Sequence, residues 1–198
     1  MKKWSMVFVA TLTATALVGC NQDEPQGETN QSPDTTNGGE QGDSTNNSNE
    51  MDDLGVYIDL NVALQEFEDA YPDASLTSVE FDTRAMLYEF EGMDDDTEYE
   101  MDIDATTQEI THQREEALDA DDAGGVEREE EGFSFEGLIT PDEAVNLARE
   151  EVAGELRSWA LDRDNSRTIY DVTMDVEGNE HEVKIDAETS EIIEVDKD

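Results

Sequence analysis

The sequence predicts an α+β protein made of two copies of one module, each a single helix packed on a small antiparallel sheet, and three observations support this. The stretch Tyr88 to Ile110 recurs, without a gap, as Tyr170 to Ile192 at a constant offset of 82 residues. Each copy is preceded by a run whose apolar residues recur at three- and four-residue spacing, the pattern of one buried helix face. Each copy also holds runs in which apolar and acidic residues alternate, the pattern of strands with one side on a core and the other in water.

Taken in order, the chain begins with Lys2 and Lys3 ahead of an apolar run from Trp4 to Val18. At about fifteen residues that run is shorter than the roughly 20 a membrane-spanning helix needs, so residues 1–19 read as an export signal. It ends in Leu17, Val18, Gly19 and Cys20, which resembles the lipobox of bacterial lipoproteins. The resemblance implies cleavage before Cys20 and attachment of a diacylglyceryl group to its sulfur, two acyl chains being enough for stable anchoring. The protein is then expected on the outer side of the cell membrane, at the cell surface in a Gram-positive host. Cys20 is the only cysteine, which excludes a disulfide within the monomer. Between Asn21 and Asp53 the only strongly apolar side chain is Met51, so residues 20–54 are expected to be a disordered acidic tether.

The first module spans residues 55–113. Asp59 can cap a helix carrying Leu60, Ala63, Leu64, Phe67, Ala70 and Tyr71 on one side, and Pro72 stops it. Strands follow around Val79 and Phe81, then Met86, Tyr88 and Phe90, then Tyr99, Met101 and Ile103, with Gly92 to Thr97 as a hairpin loop and a last short strand near Ile110. Residues 114–137 are acidic and bear glycine, and are expected to connect the modules; Phe133 and Phe135 at their far end should fold back on a module or add to its docking surface.

The second module, residues 138–198, opens on Thr140, Pro141 and Glu143, a capping hydroxyl, a first-turn proline and a carboxylate placed to return the hydrogen bond. Ala144, Val145, Ala148, Val152 and Leu156 supply the buried stripe. Strands are expected through Trp159 and Leu161, through Tyr170, Val172, Met174 and Val176, through His181, Val183 and Ile185, and through Ile193 and Val195. Both modules close on a shared turn, in which Asp104, Ala105 and Thr107 answer Asp186, Ala187 and Thr189.

A helix followed by an antiparallel meander ending in this Asp-Ala-x-Thr turn resembles the PepSY domain, found in the propeptides of thermolysin-type secreted metallopeptidases and in envelope proteins. The resemblance implies a cystatin-like α+β fold and, in some members, a role in restraining or chaperoning a peptidase, without a catalytic centre. Family members usually carry glycine after that Thr; Gln108 and Ser190 stand there instead, which suggests a different turn geometry.

The 54 acidic residues against 11 basic ones give a formal net charge of -43, which repels nucleic acid and anionic headgroups and sets nucleic-acid binding aside. The same repulsion works against folding until salt screens it, over about 10 Å at 0.1 M. Stability is therefore expected to rise with salt, as in a protein from a saline or alkaline habitat, and a thermal midpoint that stayed level or fell from low to molar salt would contradict this.

The residues point to no catalytic site, metal site or cofactor. The carboxylates alternate onto solvated faces, His112 and His181 lack metal-ligand spacing, and Asp94, Asp95 and Asp96 lack the glycine and glutamate of an EF-hand loop. Two readings remain: a non-catalytic anchored module that binds and regulates an exported peptidase or other envelope protein, or an acidic surface protein that associates with diffuse cations.

Overall fold

The computed structural model describes residues 58–164 and 166–197. The export signal, Cys20 and the tether lie outside them. Among the described residues no helix is long and apolar enough to cross a membrane.

The first repeat runs α1 (Leu60–Ala70), β1 (Ser75–Asp82), β2 (Leu87–Met93), β3 (Thr97–Asp104) and β4 (Ile110–Ala117). A short α2 (Val126–Glu131) leads to the second, α3 (Pro141–Glu151), β5 (Glu155–Asp164), β6 (Arg167–Val176), β7 (Asn179–Asp186) and β8 (Ile192–Lys197). Both long helices start as their sequences dictate. The Asp59 carboxylate accepts the Asn61 N–H, and Thr140 and Glu143 form a reciprocal capping box.

The strands of the two repeats do not form two sheets. They join in one eight-stranded antiparallel sheet of order β4-β3-β2-β1-β5-β6-β7-β8. The join is the pairing of β1 with β5, which sets Val79 opposite Leu161, Glu80 opposite Ala160 and Phe81 opposite Trp159. Each strand of the seam carries a bulge at the matching place, Thr77 in β1 and Arg157 in β5. Beyond the ladder, the Thr83 hydroxyl donates to the carbonyls of Leu156 and Arg157, and its N–H donates to the Arg157 carbonyl. Ion pairs cross the seam as well, Arg157 to Asp82 and Arg84 to Asp175, each at 2.6 Å.

One face of the sheet packs under α1 and α3. Phe81, Tyr88, Met101, Trp159, Leu161, Tyr170 and Ile185 are there fully enclosed, in a single core that also takes Phe67 and Ala148 from the helices. The repeats solve one packing problem in opposite ways. In the first, α1 presents Phe67 over Gly92, where a Cβ would meet the Phe67 ring at 2.8 Å and the Ser75 carbonyl at 2.7 Å. In the second, α3 packs on β6 with the small, buried Ala148, and Met174 fills the register position of Gly92. Interiors packed to crystal-like density require such volume exchange. It also explains why Gly92 lies inside β2 rather than in the expected hairpin loop, which shrinks to Asp94 through Asp96.

Two further details bear on the expectations. Residues 114–137 carry structure of their own, since β4 runs on to Ala117 and α2 follows; Phe133 folds back on the core as expected, its N–H donating to the Leu76 carbonyl, and meets Phe135 edge to face. In β8 the inward residue next to Val195 is Ile192, not Ile193, which is 41% exposed. A register shift between Lys184 and Ile185 sets Ile192 opposite Ile185, a step that alternation within β8 alone does not reveal.

The Asp-Ala-x-Thr turns do not depart from the left-handed conformation. Gln108 and Ser190 adopt φ of 61° and 62° at the site where glycine would be cheapest. The turns hold them there by other bonds: the Asp104 carboxylate accepts the N–H groups of Thr106 and Thr107, Asp186 accepts those of Glu188 and Thr189, and the Gln108 and Ser190 N–H groups donate to the Asp104 and Asp186 carbonyls. Replacing Gln108 and Ser190 together by glycine should therefore raise unfolding stability by about 1 kcal/mol, read as a higher denaturation midpoint.

Candidate interaction face

Strand alternation turns the remaining side chains of the sheet away from α1 and α3, and the register places them in rows. One row crosses seven strands as His112, Asp102, Glu89, Glu80, Ala160, Asp171 and Lys184; the next holds Arg114, Glu100, Glu91, Ser78 and Asp162. Glu80 directly opposes Glu89, Glu89 opposes Asp102, and Glu91 opposes Glu100. Like charges directly across a ladder are destabilising. They persist here on a face that runs across the eight-stranded sheet.

The cations of this face sit away from its middle. Arg114 contacts Glu100 at 2.8 Å and also Glu116, and His112 lies 3.6 Å from Glu100, all toward the β4 edge. Lys184 bonds Asp171 and Glu182 on the far half, and those two carboxylates hold its ammonium above the usual range although partial burial works against them. Arg84 and Arg157 meet Asp175, Asp82 and Glu180 at one end of the seam. At the opposite end, where β1 begins and β5 finishes, the Arg163 guanidinium donates to the Gly132 carbonyl beyond α2.

Between these cations lie Glu80, Glu89, Glu91 and Asp162. Partial burial, followed by the charges of Glu80 and Asp102, raises Glu89 to about 7. Burial, then Glu98 and Glu100, raises Glu91 to about 7 as well. Burial and the neighbouring Asp171 lift Asp162 to about 6 against the pull of Lys184, and Glu80 is raised by burial and Asp82. The face can therefore exchange protons near neutral pH and can attract a cationic surface at long range.

The turn residues singled out from sequence are brought to matching corners of the two repeats, but they build turns. Ala105 and Ala187 are fully buried, and their N–H groups donate to the Met86 and Thr168 carbonyls. Their own carbonyls accept the Ile58 and Ile139 N–H groups, while Tyr88 and Tyr170 reach the Ile58 and Ile139 carbonyls. Hydrogen bonds from the Thr106 hydroxyl and then from the Thr107 and Thr106 N–H groups hold Asp104 down to about 2. Burial pushes Asp186 up, yet its bonds to Thr189 and Glu188 outweigh it and lower it.

The Asp94 to Asp96 cluster is likewise used within the fold. Asp94 accepts the N–H groups of Asp96 and Thr97 and the Tyr99 hydroxyl, and Asp95 pairs with Arg128. Among the described residues no group of three or more His, Cys, Asp or Glu side chains is placed to hold a metal ion. His181 takes the register position that Tyr99 has in the first repeat, as its sequence position implies. The lipobox residues Leu17, Val18, Gly19 and Cys20 lie outside the described residues.

Sequence reasoning identified an acidic side to each sheet but missed the midline cluster. Glu80, Glu89 and Glu91 come from the consecutive strands β1 and β2, and only the β1 to β5 register brings Asp162 of the second repeat beside Ser78 and near Glu80.

Comparison with known proteins fits this architecture. No curated protein matches the chain. Among solved structures, a Clostridium difficile 630 protein assigned by name to the lipoproteins is 31% identical, with a TM-score of 0.67 over 73% of this chain and 96% of that one. A DUF2874 family protein from Bacteroides uniformis (12% identical, covering 71% of this chain and 90% of that one) and a BLIP-like protein from Bacteroides fragilis (15%, covering 74% and 91%) match with TM-scores of 0.27. The family model described as the peptidase propeptide and YPEB domain, PepSY, matches residues 57–114 and again 138–196, one match on each repeat, and with both of them the chain belongs to the PepSY family.

Proposed function

We propose that this is a lipid-anchored, extracytoplasmic PepSY protein that acts without catalysis, binding and restraining an exported peptidase or another envelope protein. The observation that carries this reading is the eight-stranded sheet, whose polar face presents Glu80, Glu89, Glu91 and Asp162 with no ion-pair partner among the described residues. Such a face steers a cationic partner by long-range attraction and sets orientation more than it sets affinity. Support for the location comes from the lipobox ending at Cys20 and from the name of the C. difficile protein. The tether of residues 20–54 would let the sheet reach partners away from the membrane surface.

Changing Cys20 to serine should release the protein from the membrane, and the released chain should slow at least one peptidase secreted by the host. Binding should weaken as salt rises, because exposed charges are screened. No slowed peptidase and no partner captured from intact cells would contradict the reading.

A further inference from the structure

Docking alone does not require like charges to stand directly across the ladders of the sheet. Glu89 on β2 faces Glu80 on β1 and Asp102 on β3, with Leu87 and Glu91 as its neighbours along β2. Glu91 faces Ser78 on β1 and Glu100 on β3, with Asp162 of β5 one strand further across the seam. The cations that approach this cluster are already engaged: Arg114 and His112 with Glu100, Arg157 with Asp82, and Lys184 with Asp171 and Glu182. Among the described residues no ion pair reaches Glu80, Glu89, Glu91 or Asp162, Arg157 and Lys184 acting on Glu80 and Asp162 only from a distance, and each is half-buried by the rows on either side.

We propose that the midline carboxylates of β1, β2 and β5 form a proton-operated charge switch, which presents a full anionic face at mildly alkaline pH and discharges it as the surroundings acidify. Proximity supplies the mechanism. Carboxylates held in register cannot all stay ionised at low cost, so the first protons bind there, and each proton bound removes part of the attraction for a cationic partner. Glu89 and Glu91, both raised to about 7, take up most of the charge change, and Asp162, at about 6, follows. The proposal deepens the docking reading and rests on it only for the identity of what is released.

The test uses the mature chain carrying Cys20→Ser, with and without Glu89→Gln and Glu91→Gln, at fixed ionic strength. In a potentiometric titration from pH 8 to pH 6 the parent should take up about 1.5 more protons per molecule than the double variant, the two histidines cancelling in the difference. A decalysine peptide should bind the parent at least threefold more weakly at pH 6 than at pH 8, and the double variant with much less change. Equal proton uptake would overturn the proposal, and so would peptide binding to the parent that ignores pH. Extra uptake with no peptide bound at either pH would reject the docking reading while supporting the switch. Glutamine preserves shape and removes repulsion, so the double variant is expected to fold, and its far-ultraviolet circular dichroism checks this.

Discussion

Truncating Trp159 to alanine should unfold both repeats together, lowering the single denaturation midpoint by an amount equal to about 3–5 kcal/mol. Trp159 is fully enclosed, lies opposite Phe81 across the seam and meets Tyr170 edge to face at 6.0 Å. Its removal opens a cavity at the junction, where the packing of one repeat supports the other. For a domain whose whole stability is of the order of 5–15 kcal/mol, that loss is a large fraction. Among the described residues the indole N–H has no acceptor, so Trp159→Phe forfeits no hydrogen bond and should cost far less than the alanine change. Circular dichroism reports the transition in both variants, since a chain without Trp4 keeps no tryptophan once Trp159 is replaced. Two separated transitions in the alanine variant, with the first repeat unaffected, would contradict a shared core.

Between pH 5 and pH 8 the thermal midpoint should fall by several degrees as pH rises, the reverse of the usual acid sensitivity. Glu89 and Glu91 have folded values of about 7, above the roughly 4.3 of an unfolded glutamate. Between those values the folded state binds more protons than the unfolded one, so each group's contribution is complete below about 4 and is lost as pH climbs through 7. Both are partly exposed, and solvent screening keeps the effect well below what the full shifts would give. The carboxylates of Asp104 and Asp186 act in the opposite sense: their contribution is present above about 4 and is lost in acid, that of Asp104 as pH falls toward 2. Stability should therefore peak near pH 5, and Glu89→Gln with Glu91→Gln should flatten the decline above it. A midpoint rising steadily from pH 5 to pH 8 would exclude a proton-sensitive face.

Much of this fold can be read along the chain because its signals are local. The cap at Asp59, the box of Thr140 with Glu143 and the alternation of Tyr99, Met101 and Ile103 each depend on neighbours within a few residues. The repeat then doubles every inference. What could not be read depends on pairing at long range. Val79 and Phe81 look alike whether β1 is an edge or a central strand, since alternation records which side is buried and not what lies alongside. The residues beyond Ala117 read as a connection because their acidity masks α2 and the bond that anchors Phe133. Gln108 and Ser190 misled in another way: the lack of glycine suggested a changed turn, but bonds to Asp104 and Asp186 hold the same backbone.

The candidate site divides along the same line. Acidity facing water could be read from each strand separately, whereas the meeting of Glu91, Ser78 and Asp162 exists only once β5 lies beside β1. The union of the repeats is therefore the condition for the wide face and for the part that Asp162 takes in its proton response.

Nuclear magnetic resonance of the mature chain tests that union most directly, through cross-strand contacts between backbone protons of Val79 and Leu161, Glu80 and Ala160, and Phe81 and Trp159. A continuous sheet gives all three sets, together with slow amide exchange along the seam; two separate four-stranded sheets, with none of these contacts and rapid exchange along β1 and β5, would contradict it.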